Sequence, residues 1–157
     1  MRVIERDVKE LVNGTRFYNG NLDNVVDVRV LRSLSNSILG TQTRGEETLY
    51  FCGKLIGSEF GRNFKAKNVD DAITSVNELM KRLNLGHVKR AVRKGRRLLI
   101  DVKDCPLCDP GKDRRCYFSA GILAGMLSRT LKRNVVGKET DCKNKKRDIC
   151  TFELKFI

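Results

Sequence analysis

The chain has no tryptophan, two prolines and one histidine among 157 residues. With His87 as the lone imidazole, an imidazole-rich metal centre is excluded. Also missing are a G-x-S-x-G elbow, a P-loop and a G-x-G-x-x-G turn after a strand, so hydrolytic, nucleotide-phosphate and dinucleotide chemistry have no local signature. No apolar run approaches the roughly 18 residues of a membrane span. The opening MRVIERDVKELV carries charges every few residues and lacks the apolar region of a signal peptide. A cytoplasmic protein is expected.

What is present describes one globular domain. A chain of 157 residues can bury a core without obligatory staples, and 40% apolar residues are too many for a disordered segment. Residues 1–27, rich in Asn and Gly, read as an irregular lead-in with a short helix at Glu5–Val12, and residues 28–157 as the domain proper. Asp27 is placed to cap a helix carrying the stripe Val28, Leu31, Leu34 and Ile38, which Gly40 ends. The run RGEETLYFCGKLIGSEFGRNF sets Leu49, Phe51 or Cys52, Leu55, Ile56 and Phe60 on one side of a second helix. Its Gly53, Gly57 and Gly61, four apart, make an edge that another element can approach closely. A third helix opens at Asn68 or Asp70 and carries Ile73, Val76, Leu79, Met80 and Leu83.

A hairpin follows in HVKRAVRKGRRLLIDV, turning at Lys94-Gly95, with Leu98, Ile100 and Val102 alternating as a buried face does. CYFSAGILAGMLSRTLKR reads as a fourth helix, again with two glycines four apart, Gly121 and Gly125. NVVGKETDC and ICTFELKFI form a second hairpin, with Cys150, Phe152, Leu154 and Phe156 on one face. This order predicts an α+β fold: N-terminal helices packed on a twisted antiparallel sheet made of two hairpins, with one helix between them.

Five of the six cysteines fall between positions 105 and 150, a distribution that in a reducing compartment points to metal and not to disulfides. Cys142 and Cys150 flank the turn of the last hairpin and make a natural half-site, because paired strands hold their side chains within a few ångströms. Cys116 opens the fourth helix, and Cys105 and Cys108 form a C-x2-C pair. A zinc ion would relieve the mutual repulsion of such thiolates. Burial as a small hydrophobe suits Cys52, alone on a helix. A dithiol redox role for Cys105-Pro106-Leu107-Cys108 lacks the helix start after a strand that such motifs use.

Taken together, LYFCGKLIGSEFG, CYFSAGILAGMLSRTLKR and KETDCKNKKRDICTFEL resemble the 4-vinyl reductase domain family, over roughly positions 28–157. The resemblance implies the ligand-binding fold of NO-signalling and Golgi-transport proteins, shared with trafficking-complex subunits and with sensors of bacterial regulators of aromatic-compound degradation. It implies a structural zinc on Cys116, Glu139, Cys142 and Cys150, beside a pocket for a small apolar or aromatic molecule. Cys105 and Cys108 depart from that pattern, and either could replace Glu139 as the fourth ligand. On a regular strand Glu139 and Cys142, three apart, face opposite ways, so a bulge or early turn near Asp141 is required if both bind metal. The family name also implies a reductase or accessory factor of vinyl tetrapyrrole metabolism, yet no nicotinamide or flavin cradle accompanies it. A non-catalytic binding or sensing domain is therefore the leading expectation.

The net charge of +13 raises a further class of partner. Arg93, Lys94, Arg96 and Arg97 surround one hairpin turn, and Lys143, Lys145, Lys146 and Arg147 the other. Were both turns at one end of the sheet, they would form a patch for nucleic acid or another polyanion. No aromatics interleave with these charges for base stacking, which favours plain solvated turns. An exposed apolar helix face would be covered by a twofold partner, so a homodimer is also expected.

Overall fold

The computed structural model of the protein describes residues 28–41, 43–108, 115–142 and 149–157. The lead-in with its Glu5–Val12 helix, Asp27, and the Lys143, Lys145, Lys146 and Arg147 run lie outside the described residues. The described elements are α1 (Val28–Thr41), α2 (Gly45–Gly61), α3 (Val69–Arg82), β1 (His87–Lys94), β2 (Arg97–Lys103), α4 (Tyr117–Leu131), β3 (Val135–Asp141) and β4 (Ile149–Phe156). The strands form one antiparallel sheet in the order β1-β2-β4-β3. The expected α+β architecture of two hairpins around one helix is what the chain adopts.

Period-two burial builds the sheet. Leu98, Ile100 and Val102 of β2 and Cys150, Phe152 and Leu154 of β4 are buried and pair directly across the ladder. The β1–β2 turn is two residues long, and Gly95 takes φ +59, the left-handed conformation such turns demand. Asn68 caps α3 by accepting the Asp71 N–H at 2.8 Å, and Ala72, Val76, Leu79 and Met80 fill the core beneath it.

Helix α4 is apolar on every side and nearly all buried, as a helix enclosed by protein must be. It lies between the sheet and α2, and the contact with α2 is backbone on backbone. A Cβ on Gly53 or Gly57 would stand 2.2 Å from the carbonyl oxygens of Phe118 and Ile122 respectively. Reciprocally, one on Gly121 or Gly125 would stand 2.1 and 2.0 Å from the carbonyls of Tyr50 and Lys54.

This seam corrects the expected face of α2. Leu49 and the glycines are its buried residues, whereas Leu55, Ile56 and Phe60 are only partly covered and Phe51 is 40% exposed. Close approach of two backbones buries the small residues and leaves the large ones at the flanks. In α1, Leu31, Ile38 and Leu39 pack inward but Leu34 is 54% exposed, and the helix runs through Gly40 to Thr41.

The register also overturns the shared basic patch. Arg97 pairs with Lys155, while Lys103, at the other end of β2, pairs with Ile149, the first residue of β4. The turn holding Arg93, Lys94, Arg96 and Arg97 and the β3–β4 connection therefore lie at opposite ends of the sheet. Arg97 also meets Glu153 at 3.5 Å, and the Arg93 guanidinium sits 5.9 Å from the Phe156 ring centroid, so part of this charge is engaged locally.

The seam yields a direct test. Gly57→Ala and Gly125→Ala each force α2 and α4 apart and should cost about 3 kcal/mol by overpacking. Gly40→Ala, with nothing within 4 Å of the added carbon, should be neutral or stabilising. Urea midpoints of the three variants give the comparison.

Candidate metal centre and adjoining cavity

Three segments deliver thiols to one point. Cys105 and Cys108 sit in the turn that leaves β2, Cys116 is the N-cap of α4, Cys142 follows β3, and Cys150 is the second residue of β4. Cys150 pairs with Val102, two residues before that turn leaves the sheet, so the turn folds back over it. The Arg32 guanidinium holds the same turn from α1, donating to the Pro106 carbonyl through Nε at 2.8 Å and through Nη2. Nothing in the sequence pattern signals this clasp.

The bulge required for Glu139 is present. Glu139 pairs with Phe152 and Asp141 with Thr151, so two steps on β3 match one on β4. Glu139 and Cys142 both turn inward, 3% and 9% exposed.

Cys108, Cys116, Glu139, Cys142 and Cys150 place one donor atom each within 4.8 Å of all the others. Cys108 lies at the centre, with its sulfur 3.0 Å from Cys150, 3.3 Å from Cys116 and 3.4 Å from Cys142. Cys105 stands to one side, 3.7 Å from the Cys116 sulfur and 3.9 Å from Ser119 Oγ. Of the expected set, Cys116, Glu139, Cys142 and Cys150 come together, and of the two alternative thiols Cys108 joins them. Cys52 lies apart, half-buried on α2, with its thiol pushed up by burial. His87 begins β1, 3.5 Å from Asp104.

The electrostatics fit a cation. Thiols this close cannot all ionise alone: hydrogen bonds from Cys108, Cys116 and Cys150 hold the Cys105 thiol low, and Cys108, Cys116 and Cys150 are in turn held high. Burial pushes Glu139 up to about 7, against the opposing hydrogen bond from the Cys116 N–H. Glu139 Oε2 accepts that N–H at 2.8 Å, and Oε1 is buried with no partner. A bound divalent ion would reverse these shifts by favouring every thiolate. Zinc–sulfur bonds of about 2.3 Å give tetrahedral edges of about 3.8 Å, which the cluster reaches by a small expansion. The N-terminus of α4 further favours the Cys116 thiolate.

Against this cluster lies a cavity of about 660 Å³ between α2, α4 and β3. Tyr50, Phe51, Tyr117, Ala120 and Val136 form its walls, with Arg44, Glu46, Glu47, Arg115 and Lys138 around them. Glu139 belongs to both cavity and cluster. Tyr50 Oη accepts the Gly137 N–H at 3.0 Å, tying α2 to the sheet edge. Burial, and secondarily Glu46 beside it, push Tyr117 up to about 12. The wall residues escaped sequence reasoning because they are scattered over three elements; a half-exposed Phe51 on a helix otherwise packed by glycine was the available signal.

A sheet backed by helices, with a buried thiol cluster beside an open cavity, defines an α+β protein built around that junction. Residues 98–156 match the 4-vinyl reductase domain, and the chain carries a domain of that family. An uncharacterized protein of Methanocaldococcus jannaschii is 26% identical over 155 residues, covering 97% of this chain and 88% of its own. A vinyl-4-reductase family protein of the same organism superposes with a TM-score of 0.61 at 20% identity, over 98% of this chain and 95% of that one. The phenol-responsive sensory domain of the transcription activator PoxR, with phenol, gives 0.64 at 11% identity, over 83% and 75% of the two chains. Trafficking protein particle complex subunit 3 of Naegleria fowleri, covalently bound to palmitic acid, gives 0.59 at 16% identity, over 83% and 95%. These likenesses establish the shared fold.

Cobalt titration tests the donor set. Cys108→Ala should weaken binding at least about tenfold and reduce the sulfur-to-metal charge-transfer band, while Glu139→Gln should leave that band intact. Apparent affinity should fall as pH drops, because each coordinating thiol must lose its proton.

Proposed function

We propose that the protein is a non-catalytic small-molecule-binding module whose sheet, turn and α4 are pinned by a structural zinc ion. Cys108, Cys116, Cys142 and Cys150 are the four ligands in this reading. Glu139 takes the supporting role, fixing the Cys116 backbone through the 2.8 Å hydrogen bond. Four protein ligands close a tetrahedral zinc to substrate, which makes the metal structural.

The observation that carries the reading is the apolar-walled cavity of about 660 Å³ that shares Glu139 with the thiol cluster. Its volume is that of a small-molecule pocket. The similar folds that hold phenol and palmitic acid support an apolar or aromatic ligand. Among the described residues no helix is long and apolar enough to cross a membrane.

Val136, 37% exposed on the cavity wall, allows a clean test. Val136→Trp should fill the cavity without disturbing the core, and abolish binding of small aromatic and aliphatic probes in calorimetric titrations. Probe affinities unchanged by this substitution would refute the cavity as the binding site.

A further inference from the structure

The charged groups around the cavity are unequally engaged. Arg44 faces Glu47 at 3.9 Å, and Lys138 meets Glu153 at 3.6 Å. Glu46 stands beside Tyr117, and Glu139 Oε2 accepts the Cys116 N–H. Among the described residues the Arg115 guanidinium has no hydrogen-bonding or ion-pair partner, although it lines the cavity. Tyr50 accepts the Gly137 N–H, so its oxygen is used as an acceptor and its own O–H has no partner among the described residues.

Each acidic side chain on the wall thus already has a neighbour to satisfy it, and the polar groups left over, a guanidinium and a phenolic O–H, are both donors. What they lack is an acceptor, and a guanidinium fork matches a carboxylate best. The remaining wall, Phe51, Ala120 and Val136, offers only carbon. A ligand that satisfies both needs has one anionic head and an apolar body.

We propose that the cavity takes an amphipathic carboxylate, an aromatic or medium-chain acid, with Arg115 and Tyr50 holding the head and Phe51, Ala120 and Val136 the body. This rests on the cavity reading above and names its ligand class. Arg115 and Tyr50 are then the specificity-determining residues. Arg115 immediately precedes Cys116, so the bound head would lie one residue from the thiol cluster.

Matched probes test the assignment on the full chain at fixed ionic strength: octanoate against 1-octanol, and benzoate against benzyl alcohol. Each carboxylate should bind about tenfold or more tighter than its alcohol, the worth of one charge-assisted hydrogen bond. Arg115→Gln should bring the carboxylate down to the alcohol's affinity and leave the alcohol unchanged. Tyr50→Phe should weaken the carboxylate several-fold. Arg96→Gln removes the same charge from the exposed β1–β2 turn and should change neither, which separates a site from general attraction to a basic protein.

Equal binding of acid and alcohol, or a preference that survives Arg115→Gln, overturns the proposal. If Val136→Trp still blocks both probes in that case, the cavity reading stands without it. If no probe of either pair binds, both fall.

Discussion

Two helices touch through their backbones, and most of what is distinctive here follows from that contact. Gly53 and Gly57 of α2 and Gly121 and Gly125 of α4 leave no room for a side chain between them. α4 can therefore sink between α2 and the sheet with its whole apolar surface covered. Its first turn then reaches the sheet where β2 ends and β4 begins, and Cys116 arrives beside Cys150 and the turn that carries Cys108. The same close approach pushes the larger α2 side chains outward, so that Tyr50 and Phe51 become cavity wall. One packing constraint thus positions both the thiols and the cavity.

The thiol cluster and the helix seam depend on each other. Without a cation, closely packed sulfurs hold most of one another's protons on, and a buried carboxylate oxygen has no partner. Under the proposed reading zinc resolves both conditions and joins three segments that the sheet alone does not bind together. Arg32 extends that junction to α1 by gripping the Pro106 carbonyl between the two cysteines of the turn. Glu139 touches cluster and cavity alike, so occupancy of one would be felt by the other.

Much of this was legible in the sequence because periodicity survives folding intact. Alternation in Leu98, Ile100, Val102 and in Cys150, Phe152, Leu154 set the sheet, the α3 stripe with its Asn68 cap set a helix, and three-residue spacing of Glu139 and Cys142 required the bulge that β3 has. Glycines at four-residue intervals announced close packing. What they could not announce was that the seam, and not Leu55 or Phe60, would be the buried face of α2. The approach of Cys108 over Cys105 depends on how a turn folds back over β4, and the cavity wall on residues far apart in the chain. Neither leaves a local pattern. The placement of the two basic turns at opposite ends of the sheet likewise follows from strand order, which no single hairpin specifies.

The central claim is a metal held by four sulfurs, with Cys108 in the place that the family pattern gives to Glu139. X-ray absorption at the zinc edge, on protein purified without added metal, reads that directly. Four sulfur scatterers at about 2.3 Å are expected. A shell containing an oxygen ligand, or protein carrying no zinc, would contradict the account.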